Sequence, residues 1–247
     1  MAFKYLLWYN SYYGYYFMIK LRDHQLAILN TLQENRKGQV IVPTGGGKTM
    51  CMIEDAKYQF TRGNVSKTIV VVAPRILLAQ QLCKDFLEQN LDGNYNLHVD
   101  VLHVHSGETH FYSTTNSHKI RVWNNNTVRN RLIFTTYHSL RRVQEAEIRV
   151  DTIYFDEAHN SVQKNFVEAT EYHSMYANRC YFFTATPKHS KTPFKVGMND
   201  EDIYGKVLVN VPAPKLVDEG VILPPKVTIK KIDVVDDSRF KHEHDCD

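Results

Sequence analysis

Residues 39–50 read QVIVPTGGGKTM. A short apolar run enters a Pro-Thr-Gly-Gly-Gly turn, and Lys48-Thr49 opens an apolar, helix-like stretch behind it. Three successive glycines, Gly45, Gly46 and Gly47, let backbone N–H groups turn inward around an anion at the N-terminus of the helix that begins near Lys48. The phosphate-loop pattern G-x-x-x-x-G-K-[ST] is met at Gly47-Lys48-Thr49 and broken at its first glycine, where Val42 stands. On this reading Thr44 and the three glycines line a nucleotide phosphate site, Lys48 reaches the β- and γ-phosphates, and the Thr49 hydroxyl ligates Mg²⁺. The competing reading is a glycine-rich strand-to-helix turn followed by a chance Lys-Thr.

The surroundings favour a built site. Strand-length apolar runs at 39–42, 68–73, 98–103, 131–135, 152–156, 180–184 and 206–210 alternate with amphipathic stretches. That alternation predicts an α/β domain with a mainly parallel sheet and helices on both faces. Ligands of such sheets bind at the carboxyl ends of the strands. A second motif sits at such an end: after TIYF comes Asp156-Glu157-Ala158-His159. Asp156 is placed to act through the metal, and Glu157 to orient or deprotonate an attacking water. Acids are also favoured at a helix start for the dipole alone. Two such loops, both at strand ends, argue against that simpler account.

With PTGGGKT and DEAH placed, the remaining stretches complete a family pattern. The chain resembles the first motor lobe of superfamily 2 helicases, of the DEAD/DEAH-like group that includes restriction-enzyme motor subunits and phage-encoded helicases. The resemblance covers roughly residues 19–225 and implies a three-layer, RecA-like fold, ATP and Mg²⁺ as ligands, and ATP hydrolysis. In this family the first phosphate-loop glycine is commonly replaced. LRDHQ lies where the family reads adenine, which assigns that role to Gln25 with Arg22 beside it. An amide can donate and accept at once, as the adenine edge requires. APRILLAQQ is similar to the first nucleic-acid motif and implies backbone contacts by Pro74, Arg75 and Gln81. TTYHSL, with Thr135 and Thr136, resembles a second. TATP resembles the coupling motif, so Thr184, Ala185 and Thr186 are expected to link the DEAH carboxylates and His159 to the nucleic-acid side; Thr184 stands for the more usual serine and keeps the hydroxyl.

One local feature lies outside those motifs. Residues 109–144 contain no Asp or Glu, yet hold Lys119, Arg121, Arg129, Arg131, Arg141 and Arg142, with Phe111, Tyr112, Trp123 and Tyr137 among them. Cations for phosphates and rings for bases suit a single-stranded nucleic acid. Half-buried packing and a solvated helix face account for the same residues, although a solvated face normally mixes signs.

Composition sets the bounds. The chain has 247 residues, a hydrophobic content of 43% and a net charge of +3, too small to signal nucleic-acid binding by itself. Its four cysteines are scattered, which fits an intracellular, reducing setting. The C-terminal HEHDC, with His242, His244 and Cys246, reads as a polar tail ahead of a metal site. Residues 1–17 carry nine aromatic side chains, and the uncharged run of 15 residues at 5–19 falls short of a membrane span. They read as an aromatic flap or as sequence outside the core, with no membrane partner implied.

The expected organisation is therefore an aromatic segment at 1–17, an ATP-binding lobe at 18–211, and a linker at 212–247 that leads toward a second lobe, with the proline-bearing VPAPKLVDEGVILPPK at 211–226 as the exit. Only 61 residues follow Thr186, fewer than a further lobe needs. The implied partners are nucleic acid, DNA ahead of RNA, and a second lobe in cis or in trans. A nucleotide- and nucleic-acid-binding module without turnover, and a phosphate-loop ATPase acting on another polymer, remain the alternatives.

Overall fold

The run TIVVVA forms a strand, β2 (Thr68–Ala73), in which all six residues are buried. A strand apolar on both faces needs cover on both faces, as in parallel sheets fed by helical crossovers. The computed structural model describes residues 21–62, 65–91, 99–192 and 194–224. The aromatic N-terminal segment and HEHDC lie outside them.

In chain order the elements begin α1 (Asp23–Glu34), β1 (Lys37–Ile41), α2 (Lys48–Thr61), β2, α3 (Ile76–Leu91) and β3 (Val99–Val104). They continue with α4 (Ser117–Asn126), β4 (Asn130–Thr136), α5 (Leu140–Glu145), β5 (Thr152–Phe155) and α6 (Lys164–Tyr176). The last are β6 (Arg179–Thr184), α7 (Glu201–Tyr204), β7 (Val207–Asn210) and α8 (Ala213–Asp218). The seven strands form one sheet in the order β3-β4-β2-β5-β6-β1-β7, and every pairing is parallel. Each strand predicted from the sequence is present, with ends shifted by a residue or two.

Two apolar clusters cover the two faces. One joins Ile28 and Leu32 of α1, Met52 and Ile53 of α2 and Phe86 of α3 to alternate strand residues such as Ile69 and Val71. The other joins Ile120 of α4, Leu140 of α5, Phe166 of α6 and Tyr204 of α7 to the intervening residues Val70 and Val72. The period of two in β2 divides its side chains between the clusters. The result is the three-layer, RecA-like α/β fold.

The stretch read as an exit linker begins inside this core. Residues 213–218 form α8, Leu216 is fully buried in the first cluster, and Val221 and Ile222 pack against it. Leu216 and the apolar pair at 221–222 outweigh the proline signal, since Pro212 and Pro214 sit at a helix start, where proline is tolerated.

One polar knot crosses the first layer. Asp55 of α2 has no exposed surface, and Arg179 at the start of β6 grips it with two N–H groups at 2.9 and 3.0 Å. The Tyr154 hydroxyl of β5 donates to the same carboxylate at 2.5 Å, and Arg179 also donates to the Leu32 carbonyl of α1 at 3.0 Å. Removing the guanidinium would strand a buried carboxylate. Arg179→Ala should therefore lower unfolding stability by about 3 to 5 kcal/mol. Urea titration checks this, and a loss under 1 kcal/mol would refute it.

Candidate nucleotide and nucleic-acid site

The glycine-rich loop leaves β1 beside β6: Val42 N–H still bonds to the Thr184 carbonyl at 2.9 Å. Gly45 and Gly47 hold φ values of 81° and 86°, a left-handed backbone that side chains disfavour. Gly46 is restricted for a different reason. A Cβ there would lie 2.5 Å from Val42 Cγ1 and 3.0 Å from Leu216 Cδ1. Val42, the residue that breaks the phosphate-loop pattern, thus fills the space above Gly46 and is itself fully buried. The departure is absorbed by packing.

Strands β5, β6 and β1 are neighbours, so the segments after them converge. Lys48, only 8% exposed, brings its ammonium to 3.6 Å from Glu157 Oε1 and 3.4 Å from the Val42 carbonyl. Glu157 takes φ 45°, ψ 53°, a left-handed backbone for a residue with a side chain. Such strain persists where surrounding structure fixes it, often at working sites. Burial, then the Glu157 charge, pushes the Asp156 carboxyl up to about 6, although Lys48 opposes the shift. His159 Nδ1 lies 3.0 Å from the Thr184 hydroxyl and 3.5 Å from Glu157 Oε2. Burial holds the His159 ring below the usual histidine range. The Thr186 amide donates to Thr184 Oγ1 at 3.2 Å, so DEAH and TATP form one hydrogen-bonded unit. Ala185 is the half-buried link between its two threonines. Thr44 is exposed and Thr49 half-buried on the same loop.

LRDHQ also meets the loop. Gln25 is buried, its side-chain oxygen accepts the Arg22 amide at 2.9 Å, and its Nε2 presses against Gly47, where a Cβ would come within 2.3 Å of it. Arg22 itself is exposed. Two contacts were not legible in the motif. The neighbouring His24 bonds the Gly46 carbonyl at 2.8 Å, and the buried Tyr137 hydroxyl donates to the Asp156 carbonyl at 2.8 Å. His24 stood inside a quoted motif, yet no spacing rule marks it.

The residues expected on nucleic acid divide. Pro74 and Arg75 follow β2 at the carboxyl edge; Arg75 and Gln81 are exposed, and Arg75 has no ion-pair partner among the described residues. Thr135 and Thr136 are buried, and the Thr135 hydroxyl donates to the Val104 carbonyl at 3.0 Å. The acid-free window is acid-free in sequence and not in space. Arg121 pairs with Glu147 at 2.8 Å and bonds the Ala146 carbonyl, Arg129 faces Asp100 at 3.8 Å, and Arg141 and Arg142 pair with Glu145. Arg131 is spent on the Asn124 and Thr127 carbonyls at 3.1 and 3.0 Å. Arg129 and Arg131 also flank the amino end of β4, about 20 Å by strand rise from the Thr135–Thr136 end. In this arrangement each of these arginines has a partner within the chain, and Arg129, Arg141 and Arg142 remain exposed, with Arg121 half-buried. Of the window's rings, Trp123 and Tyr137 pack into the second cluster, whereas Phe111 and Tyr112 are 42% and 48% exposed.

Among the described residues no three His, Cys, Asp or Glu side chains form a metal cluster, and no helix is long and apolar enough to cross a membrane. A Mg²⁺ held by one carboxylate, one hydroxyl, phosphates and water needs no such cluster.

A wholly parallel RecA-like sheet with these loops at its carboxyl edge defines a superfamily 2 helicase-like motor lobe. Residues 18–189 match the family described as "Type III restriction enzyme, res subunit", and the chain belongs to that family. No curated protein matches it. Among solved structures, a nuclease-deletion mutant of the Type ISP restriction-modification enzyme LlaGI, in complex with a DNA substrate mimic, aligns with TM-score 0.68 and 23% identity, over 82% of this chain and 21% of that one. The ATP-dependent Type ISP enzyme LlaBIII bound to DNA gives 0.66 and 22%, over 81% and 15%. The Pyrococcus furiosus Hef helicase domain gives 0.54 and 22%, over 76% and 37%. At these identities the likeness is one of fold, and the chain spans only about a fifth of LlaGI.

The raised Asp156 carboxyl makes a prediction with a definite sign. Between about pH 4 and 6 the unfolded chain has released this proton and the native chain has not, so native stability falls as pH rises through that window and the penalty stays constant above it. Asp156→Asn lacks the penalty and should be more stable than wild type at pH 8, by on the order of 2 kcal/mol. The gap should close near pH 4. Equal differences at both pH values in denaturant titrations would contradict the assignment.

Proposed function

We propose that this chain is the ATP-binding lobe of an ATP-dependent helicase or translocase, in which hydrolysis is completed by a second lobe supplied in cis or in trans. The observation that supports it most directly is the 3.6 Å approach of Lys48 to Glu157, which sets the end of the glycine loop against the DEAH acid across β6. Lys48 and the loop amides bind the phosphates of the substrate ATP. Glu157 holds the attacking water and takes its proton. Asp156 and Thr49 are the residues that would hold Mg²⁺; a buried carboxylate that resists ionising without a cation fits that role. When bound, Mg²⁺ supplies neutralisation of phosphate charge. Gln25 presents its amide to adenine once the Arg22 amide is released. The bond from His159 to Thr184 and on to Thr186 carries the state of the site toward the nucleic-acid side.

Nucleic acid, DNA in the first instance, is the proposed track. LlaGI was determined with a DNA substrate mimic and LlaBIII bound to DNA, and Arg75 offers an exposed guanidinium on the same edge of the sheet. Among the described residues the cation set beside Glu157 is the single ammonium of Lys48, which is not the forked arginine that stabilises transferring phosphoryl groups. The second lobe is proposed to bring it, with a rate gain of about 10³ to 10⁵.

ATPase assay with and without single-stranded DNA and RNA tests the reading: slow turnover alone, and faster, nucleic-acid-dependent turnover once the second lobe is supplied. Lys48→Ala should weaken ATP binding by about ten- to a hundredfold. Glu157→Gln should abolish turnover and leave binding nearly intact. Unchanged calorimetric affinity in Lys48→Ala would sink the proposal. Arg75→Ala should reduce the slope of log affinity for single strands against log salt by about 1, and an unchanged slope would remove it from the track.

A further inference from the structure

His24 is a buried residue that the proposed chemistry does not use. It is 3% exposed, and its Nε2 lies 2.8 Å from the Gly46 carbonyl oxygen. A carbonyl oxygen only accepts, so Nε2 carries the proton. In the neutral ring Nδ1 is then a lone-pair acceptor, and it is buried with no partner among the described residues. The ring thus makes one recorded hydrogen bond, aimed at one peptide of the glycine loop.

That peptide joins Gly46 to Gly47. In a planar trans peptide the C=O and the following N–H point in opposite directions. Anchoring the Gly46 oxygen toward α1 therefore turns the Gly47 N–H away from α1. Gly47 at φ 86° could tolerate the flipped peptide, because glycine has little preference between the two. Something outside the loop has to choose. The rest of Gly46 is also held: its N–H bonds the Pro43 carbonyl at 3.0 Å, and Val42 and Leu216 occupy the place of a side chain. The Gly46 N–H is therefore turned back into the loop, which leaves the Gly47 N–H next to Lys48 as the amide whose direction matters.

We infer that His24 is a positioning residue that orients the Gly46–Gly47 peptide so that the Gly47 N–H donates to a nucleotide phosphate. The inference rests on the ATP-binding reading above and names a residue beyond the motif positions. It acts through the loop and touches no substrate.

The test uses the 247-residue chain, Mg²⁺-ATP and Mg²⁺-ADP. His24→Phe keeps ring volume and lacks the donor; His24→Gln returns an N–H at a similar reach. Calorimetry should show about tenfold weaker binding of both nucleotides to His24→Phe and near-wild-type binding to His24→Gln. In ¹⁵N-glycine-labelled protein the Gly47 amide should shift on ADP addition in wild type and His24→Gln, and not in His24→Phe. A structural role alone would lower the melting temperature of His24→Phe while leaving the Gly47 response intact, and that result overturns the inference. So does wild-type affinity in His24→Phe, or equal loss in both variants at unchanged melting temperature. If His24→Phe does not fold, His24→Gln decides: wild-type affinity and a Gly47 shift support the role, and their loss in a folded protein refutes it. Wild-type protein that binds no nucleotide would instead overturn the ATP reading itself.

Discussion

A carboxylate with no access to water sets the frame of this molecule. Inside the first helical layer Arg179 forks onto the Asp55 carboxylate and Tyr154 donates a third bond to it. Each partner comes from a different element, so a single buried charge ties α2 to β5 and β6, and Arg179 adds the last turn of α1 through Leu32. The knot has one geometry. Asp55 lies seven residues, about 10 Å of helix, below Lys48. Fixing the middle of α2 to Arg179 at the start of β6 helps hold its first turn, with Lys48, against the loops of the carboxyl side.

What collects on that side is electrostatically tense. Lys48 is nearly buried, and its two recorded partners stand 3.4 and 3.6 Å away, beyond a strong charge-assisted bond. Asp156 sits beside a second carboxylate in a place that resists its ionisation. A cation close to Asp156 and an anion close to Lys48 would relieve both conditions at once. On the proposed ATP-binding reading, the pair of groups suits a metal–phosphate ligand better than either does alone, and Glu157, with its strained backbone, follows Asp156 directly.

The fold was legible because its signals are local. Strand β2 is buried at all six positions and apolar at five, and the glycines sit at one strand end. Asp156 and Glu157 stood out for the same reason: they are adjacent in sequence and follow a strand. The arginine window left two readings open in the sequence because pairing is a property of space. Arg121 and Arg142 meet acids at 147 and 145, just past the window's edge, and Arg131 is consumed by carbonyls, which no residue code displays. The proline-bearing stretch after β7 misled for a related reason. Proline marks a turn in sequence whether the turn lies in solvent or, as at Pro212, opens a helix whose Leu216 is core.

That last correction changes how the loop can move. Leu216 approaches Gly46 and Ile222 approaches Gly45, where a Cβ would lie 3.2 Å from the isoleucine. On the opposite side His24 of α1 holds the Gly46 carbonyl. The glycine loop is thus clasped between the first helix and the segment that leaves the last strand. A close-packed interior transmits such a displacement instead of absorbing it. Any change in the loop's backbone must shift α8 and residues 221–222 or the LRDHQ turn. Through the Val42–Thr184 pairing it also reaches the TATP segment. Three otherwise separate stretches of the chain therefore respond to one peptide, which is the mechanical condition a motor lobe has to meet if binding at its loop is to be felt elsewhere.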